Sequence, residues 1–381
     1  MPDTPARRRR PPVPELTAPS TTEHAALYRT KAFPFVSEGA MYCFGLREYL
    51  VEPSIPRGES AISALLALDA GIVFGVTSGA RSHLFYFHPG FGVAHVGPLG
   101  ETACEGGALL DLGGNRVLGG WWGPEGGGMF QHDATSETGQ GMEQFRGGKA
   151  AINPIALPGK GQGIAALAGP TREGVAYGIT KPGDALVAVD GSTWKVKVVA
   201  KIEGAAPVLV LLPDGRLIGA FAEGQLWEYS PESAGLAALD AHAPCQKGKR
   251  YVAGVQSLIL GDDGLVYGGA STDGFMFTWD PGSGVVVNLG KPNRQSNIRA
   301  LAQGRGGMIY GVVQEPEGMA HLFRFDPQAG FVDLGVVGSS FPEHWTAHCL
   351  GSLAVGPGGE LYIGETDAIS HLFIHYPPIP K

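Results

Sequence analysis

Short apolar runs of strand length, broken by turns rich in Gly, Pro, Asp and Asn, recur along the whole chain. The clearest unit reads IYGVVQEPEGMAHLFRFDPQAGFVDLG and ends at Gly335. A second, VYGGASTDGFMFTWDPGSGVVVNLG, ends at Gly290, and a third, IVFGVTSGARSHLFYFHPGFGVAHVG, ends at Gly97. Each has a β-rich run, a loop, a second run closing on Asp-Pro or a relative, a tight turn, and a third run. Another apolar run precedes each unit, such as IRALAQ from Ile298. Four strands per repeat of roughly 40–50 residues is the pattern of a β-propeller blade.

Aligning the third strand sets the blade count. Its first position falls at His83, Gly128, Ala185, Gln225, Phe275, His321 and His371, in steps of 45, 57, 40, 50, 46 and 50 residues. Seven blades follow, so the fold class is all-β. Pro213-Asp214-Gly215, Asp262-Asp263-Gly264 and Pro357-Gly358-Gly359 fall between first and second strands, where glycine supplies the positive φ of a hairpin turn. The last unit is one strand short. A spare strand around Ala40–Val51 is expected to close the ring in blade seven and remove two exposed sheet edges. Residues 1–35 then form a disordered tail, and residues 36–381 the propeller.

Composition narrows the setting. The chain has 381 residues, 44% of them apolar and 17% charged, enough for a core at each blade interface. It has no apolar run near the ~18 residues of a membrane span. The run Arg7–Arg10 is not followed by an apolar segment, so it does not read as an export signal. A net charge of −8 argues against nucleic acid as a partner. Cys43, Cys104, Cys245 and Cys349 lie far apart, with no CxxC, and are expected to be reduced thiols. These features predict a cytoplasmic monomer with no membrane contact.

In a propeller the first strand lines the central channel. The loops joining strands two and three, and those between blades, emerge together on one face. His83, His321 and His371 open the third strands of neighbouring blades one, six and seven, which places three imidazoles on one sector of that rim. The same face gathers cations: Lys247, Lys249 and Arg250 in the loop into blade five, and Lys291, Arg294 and Arg299 in that into blade six. Such clustering in a net-acidic chain focuses positive potential and favours an anionic ligand. Trp121, Trp122, Tyr251 and Trp345 accompany the cations, and their rings can stack on sugars. Arg294, Arg299, Trp121, Trp122, Trp345, His321 and His371 are the candidate substrate-binding residues.

Two metal sites are conceivable. His242 and Cys245 in one loop, with His348 and Cys349 in another, are ligand types that structural zinc takes, and His344 lies close in sequence. Glu365 and Asp367, just ahead of His371, suit a hard cation such as calcium. Nothing in the chain calls for an organic cofactor.

The repeated HLF opening strand three, the ending GETDAISHLFIHYPP and the cation-lined rim resemble the seven-bladed polysaccharide lyases, such as ulvan lyases and rhamnose–glucuronate lyases. The resemblance covers about residues 40–381. It implies β-elimination on a uronate-containing sugar and matches His83 to a family histidine. Where a second family histidine is expected, this chain has Thr102, Cys104 and Glu105. Some members of that family carry a zinc site built from His and Cys. The expected catalytic set is His83 as acid or base, Arg250 or Arg299 against the carboxylate, and Tyr251. Two alternatives stand beside it. One is a non-catalytic propeller that binds a ligand or protein; the other is a metal-assisted lyase on a non-carbohydrate substrate, using Glu365 and His371.

Overall fold

The computed structural model describes residues 36, 38–46, 55–90, 92–135, 152–250, 254–315 and 319–378. The expected tail, Tyr251 and the distal part of the proposed closing strand lie outside them. The described chain forms seven four-stranded antiparallel sheets, six of them built from four consecutive strands. The seventh joins Leu350–Val355, Leu361–Glu365 and His371–Tyr376 to the N-terminal strand Ala40–Gly45 at its outer edge. Cys43 there stands opposite Phe373, and Gly45 opposite His371. The ring is therefore closed by the N-terminal strand, as the missing strand of the last repeat requires.

Third strands begin at His83, Ala185, Gln225, His321 and His371, where the repeat alignment puts them. Those of blades two and five begin at Gly126 and Met276, one or two residues from the aligned positions. The core is a ring of interfaces between blades. Seven buried apolar clusters each unite two neighbouring blades among the described residues. Between blades one and two, for example, Phe74, Val76 and Leu84 pack on Val117 and Phe130. Second-strand glycines seat third-strand aromatics. A Cβ at Gly75 would collide with the Phe85 ring, and one at Gly219 with Trp227, which is fully buried. A large ring on one strand thus requires glycine on its neighbour.

One departure from regular pairing recurs near the channel. The first strands of six blades lose register against their second strands, between Ile62 and Ala64, Ile164 and Ala166, Ala205 and Leu209, Val255 and Ser257, Ile298 and Ala300, and Leu350 and Ser352. Blade two alone keeps an unbroken ladder, with Gly106 opposite Trp122 and Gly107 opposite Trp121. An unpaired residue in a strand bends it and re-aims a side chain.

Two imidazoles, one buried and one half-buried, make the fold sensitive to acid. His375 is 1% exposed, and among the described residues neither ring nitrogen has a hydrogen-bond partner of good geometry. Burial holds its pKa down at about 4. Burial and then the neighbouring His83 hold His95 down at about 4 as well. Both are neutral in the fold, whereas the unfolded chain takes up protons near its ordinary value of about 6.5. Their stabilising contribution is therefore complete above about pH 6.5 and is lost as pH falls towards 4, by up to roughly 2–3 kcal/mol for each residue. Denaturant titrations should show this decline, and His375→Leu should remove about half of it. A stability flat between pH 7 and 4 would contradict the assignment.

Candidate functional site

The six register breaks converge on one concave site. A cavity of about 660 Å³ opens at the end of the channel where first strands begin and second strands end. The residues at the breaks line it: Ser63, Ala165, Ala206 with Pro207, Gln256, Arg299 and Gly351. Second-strand ends and the loops after them add Ser78, Trp122, Ala222, Ser271 and Thr366. Most of these side chains are small, which keeps the mouth open. Two lining residues are ionisable, Arg299 and Glu105.

Arg299 is a residue of the first strand of blade six, Asn297–Gln303, rather than of the loop before it. The register break turns its side chain out of the ladder and into the channel mouth. Its Nη1 donates to Gln256 Oε1 at 3.0 Å. No carboxylate lies within ion-pair distance of it among the described residues. The side chain meets channel water, yet the surrounding blades crowd it. This burial pulls the guanidinium below its ordinary pKa, with the Cys349 side chain opposing the shift. An arginine stays charged through any such change, so the mouth carries a fixed cation.

The three rim histidines open their strands on the face that carries the cavity, but none lines it. His83 is 5% exposed and lies in a relay. Its Nε2 is 2.7 Å from Glu59 Oε2, and its Nδ1 is 3.0 Å from His95 Nε2. His321 Nδ1 meets both oxygens of Asp333, at 2.9 and 3.0 Å. His371 is 3% exposed and sits between two carboxylates. Its Nδ1 is 2.8 Å from Glu365 Oε2, and its Nε2 is 3.4 Å from Glu343 Oε2.

Glu365 closes the second strand of blade seven and is fully buried, so it does not belong to the loop that would face a hard cation. It accepts hydrogen bonds from the His371 backbone N–H at 3.0 Å and from Trp345 Nε1 at 2.9 Å. Trp345 stacks on the His371 ring, with centroids 4.2 Å apart and planes 28° from parallel. Glu343 also accepts from the Gly45 backbone N–H at 2.7 Å, which ties the loop into blade seven to the closing strand.

The remaining candidates are scattered. Trp122 borders the cavity, whereas Trp121 packs with Phe130 in the core between blades. Arg250 is engaged by its own loop, its Nη1 donating to the Ala243 carbonyl at 2.6 Å. Arg294 stands exposed on the rim. Buried Asp273 secures the same loop as Arg250, accepting from the Gln246 N–H at 2.9 Å. His348 Nδ1 and Cys349 Sγ are 3.4 Å apart. Burial pushes the Cys349 thiol up, with Asp367 adding to the shift and Arg299 opposing it. His242 ends the outer strand of blade four, and Cys245 lies just beyond it. Among the described residues no three His, Cys, Asp or Glu side chains gather closely enough to hold a metal ion.

Gln256, Ser63 and Gly351 also line the mouth, but they are uncharged strand residues and do not stand out among the charged loops. A signal for them exists in the repeat. The residue between a β-branched or Leu position and an Ala-Leu or Ser-Leu pair recurs as Ser63, Ala165, Gln256, Arg299 and Gly351. It is the register-break position in each case.

No family model and no curated protein sequence matches the chain. Many solved structures share its shape. Virginiamycin B lyase from Staphylococcus aureus superposes with a TM-score of 0.66 at 11% identity, covering 89% of this chain and all of that one. A streptogramin B lyase gives 0.63 at 10% identity, over 87% and 97% of the two chains. A component of the mitotic checkpoint complex gives 0.60 at 12% identity, over 96% and 99%. At such identities the likeness is one of fold. The protein is a seven-bladed β-propeller whose structural neighbours include lyases.

Proposed function

We propose that the protein holds a small anionic ligand at the mouth of its central channel and acts on it as a lyase, by β-elimination. A uronate-containing sugar or a similar small acid is the substrate class that fits. Arg299 carries this reading: a guanidinium in a concave site, oriented by Gln256 and with no carboxylate within ion-pair distance among the described residues. Cavities with a few convergent polar groups are where propellers and other folds take small ligands. A carboxylate bound there loses negative charge, which eases removal of the hydrogen on the neighbouring carbon. A base takes that proton, the C–O bond one carbon further breaks, and the departing oxygen acquires a proton. Trp122 offers an aromatic wall for a sugar ring.

Incubation with uronate oligosaccharides tests the reaction. The parent protein should produce the ultraviolet absorbance of a C4–C5 unsaturated uronate, and Arg299→Ala should not. Absence of that absorbance across acidic glycans that do bind would overturn the lyase reading. It would favour a non-catalytic binding propeller. That second reading has its own support: His83 and His371 are enclosed in hydrogen-bond networks away from the cavity.

A further inference from the structure

Glu105 is the other charge in the channel mouth. It precedes the first strand of blade two, Gly106–Asp111, and its backbone N–H donates to the Trp122 carbonyl at 2.8 Å. Its side chain is exposed and has no hydrogen bond or ion pair among the described residues. Blade two is three of the seven steps round the ring from blade six, so Glu105 and Arg299 stand nearly opposite each other across the cavity. A sphere of the cavity's volume is about 11 Å across, the scale of a disaccharide. The two ends of the site also differ in their companions. Gln256 accompanies Arg299, while Trp122 lines the cavity on the Glu105 side, directly opposite Gly106 in the ladder.

We infer that the channel mouth is built for a zwitterion, a small ligand with a carboxylate at Arg299 and an ammonium group at Glu105 and Trp122. This rests on the reading that Arg299 holds a carboxylate, and it narrows the ligand class within that reading. A carboxylate across the cavity repels a second negative charge on the ligand and attracts a positive one. The face of an indole attracts an ammonium ion and does nothing comparable for a carboxylate. Uniformly anionic polymers are therefore disfavoured. Acids carrying a free amine about one sugar unit away are favoured.

Calorimetric binding of two probes decides it: the disaccharide of glucuronate and glucosamine, with its amine free, and the same disaccharide N-acetylated. The pair has the same carboxylate and differs in the ammonium charge. The free amine should bind the parent about two- to fivefold more tightly, in line with an exposed ion pair. Glu105→Gln should erase that preference while still binding both probes. Arg299→Ala should weaken both alike. Equal affinities in the parent, or a preference that survives Glu105→Gln, would overturn the zwitterion while leaving the anion site standing. Failure of both probes to bind the parent would remove the anion site and this inference with it.

Discussion

Arg299→Ala should lower affinity for a small carboxylate ligand by roughly 10- to 100-fold, the range expected for losing hydrogen bonds from a charged group. Stability should change by less than about 0.5 kcal/mol, because the side chain projects into the channel and is not part of the core. Arg299→Lys should recover only part of the affinity. An ammonium supplies the charge but lacks the planar fork that meets a carboxylate in two places. Gln256 reaches only one nitrogen, Nη1, at 3.0 Å. Calorimetry with glucuronate, paired with a denaturation curve for each variant, measures both quantities. An Arg299→Ala protein with parental affinity would mean that the anion is held elsewhere on the rim.

Glu365→Ala should act in the opposite way and cost about 3–5 kcal/mol of folding stability. The carboxylate is fully buried and accepts from the His371 backbone, from His371 Nδ1 and from Trp345 Nε1. Truncation strands three donors with little access to water, and each unmade bond is expensive. The damage falls on the blade that closes the ring. His371 stands opposite Gly45 of the closing strand, and Glu343, bound to the Gly45 N–H, lies beside the same imidazole. Glu365→Gln keeps the volume and one acceptor oxygen, so it should cost less than the alanine variant. Denaturant unfolding with the linear extrapolation gives the numbers. If Glu365→Ala were as stable as the parent yet inactive, the buried cluster would have to be regarded as reaction machinery.

The architecture was legible in the chain because each blade repeats its own local rules. A turn glycine and a second-strand glycine under an aromatic recur from blade to blade at steps of 40–57 residues, so the errors in Gly128 and Phe275 amount to a residue or two. Ring closure followed from counting strands. The site was less legible. Charged and aromatic loop residues stand out in the sequence, yet Arg250 is spent on its own loop and the rim histidines on neighbouring carboxylates and, for His83, on His95. Whether a polar side chain is free or already satisfied depends on which neighbour the folded blade sets beside it, such as Glu59, ahead of the first strand, for His83 and Asp333, on the adjoining fourth strand, for His321. Charge and loop position alone hold no record of those meetings. Arg299 was noticed for its charge and its place near the rim, although its position within a strand gave it access to the channel.

The breaks in six first strands also bear on how this molecule can change. Ser63, Ala165, Gln256, Arg299 and Gly351 lie where the ladder has already let go of its register, at the lining of the mouth. Exchanging Ser63, Gln256 or Arg299 alters the shape or charge of the mouth with little demand on the interfaces that keep the ring closed, whereas a Cβ at Gly351 would meet the Thr366 side chain. The scaffold therefore behaves as a dial with separate stops, one per blade. A new ligand preference is reachable by single substitutions, and combinations in different blades should add nearly independently, except for Gln256 with Arg299, which are hydrogen-bonded to each other and should couple.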